Sequence, residues 1–404
     1  MATYLSETTK LLDNIRPESF QSDADRYEAK EAARRLLARL ETPFERGWAL
    51  TSEASVLVSG LIVFHDLEIW SKWVELNKSR GPIPLSTDQI VEMCSAPAEP
   101  NLLRRFLRHF AALHVLEETA VDEWKPTSFS LAMGDESTYT NQLVRSGFSH
   151  LHPCGVNLPS FLEKNQYREP LDPKKFDNHV DTFGCVFFDY LQENHAAGSN
   201  FFGSMVAMGD HKMDWTEVYD TTGLVQGADL TGKTPLFVDI GGANGLDTAR
   251  LLSRHPDLPE DVGLVVQDLP EVTNTHGAKE KLDPRITRME HDFFKPQPLG
   301  GARAYFFHAV SHDWPDEDCA RIFENVKGAM KRGYSKLLIY EIVLPARGAT
   351  SLMTSLDLQM MNVLSALERT EERWESLLEG CGLRIAGISR HPMAVESVIE
   401  AELP

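Results

Sequence analysis

Residues 235–255 read PLFVDIGGANGLDTARLLSRH. A run of β-formers passes through a glycine-rich turn into an amphipathic run, which predicts a strand, a tight turn and a helix. Gly241, Gly242 and Gly245 let the backbone turn sharply and approach a ligand closely. The first turn of the following helix offers free N–H groups. A second apolar run, GLVVQDLP at 263–270, ends at Asp268, where a carboxylate can accept both hydroxyls of a ribose. The two features together suit a nucleotide-like ligand. The GxGxxG fingerprint of dinucleotide sites is incomplete, because Leu246 stands at its last glycine, and the GK[ST] ending of a phosphate loop is absent. Asp239, which opens the turn, suits the methionine end of a sulfonium cofactor. His312 closes another apolar run, RAYFFHAVSH at 303–312. An imidazole titrating near pH 6.5 is matched to accept a proton from a weakly acidic hydroxyl.

These residues need a frame that brings strand ends together. From about residue 234, strands at 235–240, 263–270, 303–312 and 336–345 alternate with helices at 246–255, at DEDCARIFENVKGAM and around RTEERWESLLEGCG. GLRIAGISR and ESVIEAEL close the chain as strands. Alternation of this kind predicts an α/β domain with a mostly parallel sheet covered by helices on both faces. In such sheets ligands sit outside the carboxyl ends of the strands. We place this domain at 221–404.

Residues 1–135 read as a mainly helical domain. A largely apolar helix is expected at 53–76, buried against its own chain or a second subunit. Its longest apolar stretch, ASVLVSGLIVF at 54–64, spans 11 residues, too short for a bilayer, which needs about 20. After Pro82 and Pro84, Ser86 predicts the cap of a short helix, TDQIVEMC, and a second helix runs through 102–116. EETAVDEWKPTSFSLAM then reads as a β-ribbon, which completes the outline of a winged helix. Residues 136–220 read as a helical linker and pocket region, with loops at Pro153, Pro159, Pro170 and Pro173.

Composition narrows the function. The chain has 404 residues and a formal net charge of −20. Nucleic acid and anionic membrane both require a basic surface, so neither is an expected partner. Arg104, Arg105 and Arg108 on the second helix raise DNA binding as a rival, but within 81–135 acidic residues outnumber basic ones eight to four. The five cysteines, Cys94, Cys154, Cys185, Cys319 and Cys381, are scattered and form no CxxC pair, and the polar start MATYLSETTKLLDN lacks the apolar core of a signal peptide. A reducing, cytoplasmic setting is expected.

In order and spacing, DIGGANG, VVQDLP, HDFF, HDWPDEDC, YEIVLP and ERTEERW resemble the class I S-adenosylmethionine-dependent O-methyltransferases. The resemblance is to the fungal natural-product branch, related to plant phenol and caffeate O-methyltransferases, and spans nearly the whole chain. It implies a Rossmann-like, seven-stranded catalytic domain behind an N-terminal winged-helix dimerisation domain, and hence a homodimer. It implies that Asp239, Gly241, Gly242 and Gly245 hold S-adenosylmethionine, that Asp268 with Leu269 meets the ribose, that Asp292 and Phe293 flank the adenine and that Trp314 packs nearby. It also places His308 among the cofactor contacts, at a position where plant relatives carry lysine, and Ala243 stands where many carry glycine.

The same resemblance implies that His312 is the general base, with Glu341 and Glu368 beside its other ring nitrogen. Asp313 is expected to help position a small-molecule substrate. Phe202, Met205 and Met208, in the aromatic and methionine-rich run 201–215, and Met360 and Met361 are expected to line its pocket. No metal is expected, since the acidic run DWPDED at 313–318 reads as a helix start. Methylation of a hydroxyl on an aromatic or polyketide-type metabolite is the leading expectation. Its rival is a pericyclase or dehydratase of the same fold that binds the cofactor without spending its methyl.

Overall fold

The computed structural model describes residues 2–172, 176–275 and 282–404. Pro173, expected to mark a loop, lies outside the described residues. The chain divides into two compact units, Met1–Ser137 and Thr138–Pro404, so the region expected at 136–220 lies within the second.

The first unit opens with helices at Ala2–Asn14 and Asp23–Leu40, the latter capped by Ser22, which accepts the Asp25 N–H. Helical chain then continues from Pro43 through a π-turn at Ala49–Glu53 to Asp66. The apolar run read as 11 residues is thus part of a 24-residue helix, long and apolar enough by length and composition to cross a membrane. Burial along that helical run is uneven within one chain. Gly60, Leu61 and Phe64 are buried, while Phe44, Trp48 and Leu50 are 73%, 52% and 71% exposed. The helix expected to reach residue 76 breaks at Glu68, which takes a left-handed φ of 58° before a new helix, Ile69–Arg80.

The winged-helix outline is present. Helices Thr87–Met93 and Pro100–Ala112 precede strands β2 (Leu116–Ala120) and β3 (Glu123–Pro126), and β3 pairs antiparallel with both β2 and the short β1 (Leu85–Ser86). Ser86 caps its helix as expected, accepting the Gln89 N–H. The ribbon was expected to extend further, but Thr127 caps a helix at Ser128–Gly134 instead. Arg104 is paired with Asp122 at 2.8 Å, so part of the basic second helix is neutralised within its own unit.

The second unit begins with helices Thr140–Ser146, His152–Lys164, Asn178–Phe183, Phe187–Glu193 and His195–His211. Pro153 and Pro159 do not mark loops. Pro153 follows directly on a π-turn at Gly147–Leu151 inside helical chain that runs from Thr140 to Lys164, and Pro159 is carried inside the same run.

Strands β4 (Phe237–Ile240), β5 (Leu264–Asp268), β6 (Ile286–Glu290), β7 (Ala304–His308) and β8 (Lys336–Glu341) follow. A parallel two-stranded piece joins β9 (Val343–Leu344) to β10 (Arg369–Thr370), and β11 (Arg384–Ser389) and β12 (Ser397–Glu402) end the chain. The main sheet has seven strands in the order β11-β12-β8-β7-β4-β5-β6, parallel except where β12 pairs. β6 was not foreseen, because its sequence ITRME has only two apolar residues, Ile286 and Met289, separated by Thr287 and Arg288 and followed by Glu290.

The apolar strands are explained by burial on both faces. Tyr305 and Phe307 enter the core containing Ile339 and Trp374, while the intervening Phe306 packs with Trp215 and Phe237 on the other face. This rigid double layer fixes the carboxyl ends of β4, β5, β7 and β8, where the candidate site lies.

Candidate active site

The turn after β4 is stitched to β5: the Gly241 and Gly242 N–H groups both donate to the Gln267 carbonyl, at 2.8 and 3.2 Å. Gly241 has a φ of +74°, and a Cβ on Gly242 would lie 2.5 Å from the Asp239 carboxyl carbon, so glycine is required at both positions for different reasons.

Asp239 departs from the expectation of an open contact. It is 1% exposed and accepts from Thr248 Oγ1 at 2.8 Å, which ties the turn to the helix Leu246–Arg254. Burial, reinforced by Asp247, pushes its pKa up to about 7. Asp268 is better presented. Its Oδ2 accepts the Ala243 N–H at 2.9 Å and its Oδ1 the Leu269 N–H at 2.8 Å, which leaves acceptor capacity on each oxygen. Leu269 beside it is 39% exposed. Asp292 accepts the Phe294 N–H at 3.0 Å, and Phe293 and Phe294 meet Trp314 edge-on, with ring centroids 6.1 and 4.9 Å from it. The expected adenine side therefore has an aromatic wall drawn from two distant segments.

His308, the last residue of β7, is held on both ring nitrogens. Nδ1 lies 2.6 Å from Asp247 Oδ2 and Nε2 3.4 Å from Glu396 Oε2, while Lys212 pairs with the other Glu396 oxygen. Burial disfavours the charged ring, but the two carboxylates outweigh it and raise the His308 pKa to about 10. His308 thus stands inside an internal ionic chain, Lys212–Glu396–His308–Asp247. Asp247, Glu396 and Lys212 escaped sequence reading. Asp247 looks like an ordinary acidic residue in a helix first turn, and Glu396 and Lys212 carry no local signal at all.

His312 lies beyond the strand, on a 3₁₀ turn at Ser311–Asp313. Its Nδ1 is 2.9 Å from Glu368 Oε1, and its Nε2 is 3.6 Å from Asp313 Oδ1. Burial opposes the charged ring, but Asp313, Glu368 and Glu341 overcome it and hold the pKa at about 10. Glu368 was expected beside the imidazole of His312, and its Oε1 lies there. Thr370 caps the helix that follows, and Glu368, 2% exposed, has its N–H held by Asp357 at 2.9 Å.

Glu341 does not bond the imidazole. Its Oε1 accepts the Val310 and Ser311 N–H groups at 3.2 and 2.5 Å, so it shapes the turn that carries His312. The second oxygens of Glu341 and Glu368 are buried with no hydrogen-bond partner among the described residues. Arg369, 1% exposed, finishes the turn by donating to the carbonyls of Ser311 at 2.8 Å and Trp314 at 2.7 Å and to Asp316 at 2.8 Å. It was missed because an arginine beside a predicted helix start reads as surface charge.

The pocket residues divide. Met208 lines a cavity of about 250 Å³ with Leu143, Ala207, His211, Leu352 and Leu356. Met360 and Met361 lie partly buried on the helix Ser351–Leu364, the helix whose Asp357 holds Glu368. Phe202 and Met205 do not join that cavity and are 51% and 41% exposed on the helix His195–His211. Among the described residues, no three His, Cys, Asp or Glu side chains are grouped to hold a metal ion.

A parallel-sheet domain with a glycine turn, a ribose-ready aspartate and a histidine backed by glutamate defines a nucleotide-cofactor transferase. Residues 173–384 match the family model described as an O-methyltransferase domain. The chain is 39% identical to O-methyltransferase ATR12 of Stachybotrys chlorohalonatus over the full length of both. It is 37% identical to O-methyltransferase mfmE of Annulohypoxylon moriforme, over 97% of this chain and 94% of that one. It is 33% identical to demethylsterigmatocystin 6-O-methyltransferase of Aspergillus parasiticus, over 77% and 76%.

Among solved structures, LepI in complex with SAM superposes with a TM-score of 0.86 at 25% identity, over all of both chains. OxaC in complex with sinefungin and meleagrin superposes with a TM-score of 0.79 at 23% identity, over 99% of this chain and 97% of that one. The chain belongs to the O-methyltransferase family. It is a SAM-dependent O-methyltransferase, and S-adenosylmethionine is its cofactor. The turn fits that cofactor: Gly241 and Gly242 carry no side chain where a ligand would approach the backbone, and Asp268 has lone pairs to spare for a diol.

Proposed function

We propose that the protein methylates a hydroxyl of an aromatic or polyketide-type secondary metabolite, with His312 as the general base. The observation that carries this reading is the imidazole itself. Glu368 fixes Nδ1 at 2.9 Å, while no protein group comes within hydrogen-bond distance of Nε2 among the described residues. That nitrogen is left to meet a substrate hydroxyl.

Bound S-adenosylmethionine supplies the electrophilic methyl group. The chain's own residues do the rest. Gly241, Gly242 and Gly245 would admit the cofactor to the backbone, Asp268 would accept its ribose hydroxyls, and Phe293 with Trp314 would wall its adenine. His312 Nε2 takes the hydroxyl proton, and Glu368 stabilises the imidazolium that results. Glu341 and Arg369 hold the turn so that Nε2 keeps its aim. The relatives named for methylating demethylsterigmatocystin, and the largely apolar cavity lined by Leu143, Met208, Leu352 and Leu356, support an apolar acceptor of this kind.

A cage of carboxylates that holds His312 as a cation also supports a second reading, in which the ring serves as an acid beside an unspent cofactor. A solved structure described as a pericyclic reaction enzyme has the same fold, with a TM-score of 0.87 at 24% identity over all of both chains. Product mass separates the two readings. Candidate acceptors incubated with the protein and S-adenosylmethionine should yield S-adenosylhomocysteine and a product heavier by one methylene. An isomerised or dehydrated product with the cofactor unchanged would overturn methyl transfer.

The exposed Phe44, Trp48 and Leu50 further support a homodimer assembled through the first unit. Light scattering should give twice the chain mass for the wild type and the chain mass for a Trp48→Asp/Leu50→Asp variant. A monomeric wild type at micromolar concentration would remove the dimer.

A further inference from the structure

The glycine-rich turn contains one residue in an uncomfortable conformation. Ala243 has a φ of +44°, in the left-handed region where a Cβ is disfavoured and glycine is the usual occupant. It is pinned on both of its backbone polar groups. Its N–H donates to Asp268 Oδ2 at 2.9 Å, from the end of β5. Its carbonyl accepts from Arg288 Nη1 at 3.1 Å, and the next carbonyl, that of Asn244, accepts from Arg288 Nη2 at 3.0 Å. Arg288 lies partly buried in the middle of β6, in register with Val266 of β5. One planar guanidinium thus spans two successive carbonyls, an arrangement that the single point charge of a lysine does not reproduce.

We propose that Arg288 is a positioning residue for the cofactor: its fork holds Ala243 in the left-handed conformation, and Ala243 in turn holds Asp268 in place to receive the ribose. Arg288 itself does not touch the ligand. The argument rests on the reading that this turn and Asp268 hold S-adenosylmethionine. Without the fork, Ala243 relaxes toward negative φ, its N–H leaves Asp268, and the population of turns ready to bind falls, which lowers apparent affinity by the same factor. Glycine at 243 has no such preference, so the turn then keeps its shape without the fork. The arginine and the alanine therefore form a matched pair. The polar middle of β6, which hid that strand from sequence reading, is where the arginine has to sit.

The test is calorimetric binding of S-adenosylhomocysteine to the full-length protein, with hydrogen exchange of residues 242–246 in the ligand-free state as a second readout. Arg288→Leu should weaken binding about tenfold and speed exchange across the turn, if about nine-tenths of the turns leave the competent state. Arg288→Lys, with a single donor group, should fall between it and the wild type. The Ala243→Gly/Arg288→Leu double variant should recover most of the lost affinity, a rescue that general destabilisation of the domain would not give. Unchanged affinity in Arg288→Leu with unchanged exchange would overturn the proposal by showing that Arg288 does not hold the turn. Unchanged affinity with faster exchange would also overturn it, by showing that the cofactor binds elsewhere. A double variant as weak as Arg288→Leu would sink the pairing with Ala243. If Arg288→Leu does not fold, the comparison of Arg288→Lys with Ala243→Gly/Arg288→Lys decides, and an absence of rescue there overturns the proposal.

Discussion

His308 and His312 lie four residues apart, and each stands among carboxylates that raise its pKa to about 10. Side-chain exposure is nearly equal, 18% and 17%. The difference lies in the second ring nitrogen. Asp247 and Glu396 occupy both nitrogens of His308, and Lys212 extends the chain on the far side. Glu368 occupies one nitrogen of His312, while Asp313 stops 3.6 Å short of the other. Similar charge environments thus produce a closed ionic brace at the end of β7 and, one turn later, an imidazole with a nitrogen left to react. A raised pKa alone does not distinguish a brace from a base; the count of bonded nitrogens does.

Four experiments bear on that contrast. The largest effect is expected from His312→Ala, which should lower turnover by roughly 10³-fold while leaving S-adenosylhomocysteine affinity unchanged. Activity within a few-fold of wild type would remove His312 from the reaction and leave two braces rather than one. His308→Ala should act on stability instead. Removing one member of a buried ion network costs about 3–5 kcal/mol, to be read as a lower midpoint in urea unfolding. A variant that unfolds like the wild type but has lost catalysis would reverse the two assignments.

Glu368→Gln is expected to have a smaller effect, with turnover down about tenfold as the ring loses its charged support. It should also move the pH profile. With the wild-type His312 pKa held near 10, kcat/KM for the acceptor should climb as pH rises toward 10, because the base works only when neutral. Removing one carboxylate lowers that pKa, so the climb should come at lower pH in Glu368→Gln. A wild-type profile flat between pH 7 and 10 would break the general-base reading.

The fourth experiment returns to the brace. A histidine raised from 6.5 to about 10 on folding contributes stability that is complete below the unfolded value and is lost as pH rises through the folded one. Wild-type stability should therefore fall between pH 6.5 and 10 by up to about 1.4 kcal/mol per pH unit for each such group. His308→Gln should show a shallower slope in chemical denaturation. An identical slope would mean that His308 is neutral in the folded protein.

The alternation of apolar runs was enough to read β4, β5, β7, β8 and β12, because a sheet buried on both faces writes itself as continuous hydrophobic sequence, and β11 was read although it is an edge strand with no buried residue. It missed β6, whose centre carries Arg288 under the cofactor turn. It also misjudged Pro153 and Pro159, which a helix accommodates, and the end of the ribbon at Thr127. The 24-residue helix Pro43–Asp66 was underestimated because polar residues and a π-turn interrupt its composition without interrupting its axis.

At the site, residue types within one local motif were legible from the chain alone: the glycines after Asp239, the aspartate ending β5 and the histidine at 312, whereas Phe293 and Trp314 were implied only by the family resemblance. The former were readable because backbone conformation and strand-end position are local properties. What each polar side chain does was decided by tertiary structure. Asp239 turns inward to Thr248, Glu341 bonds a backbone turn rather than an imidazole, and His308 closes on Glu396, 88 residues away in sequence. A buried charge must find its partner wherever the fold brings one within reach, and a linear sequence does not record that distance.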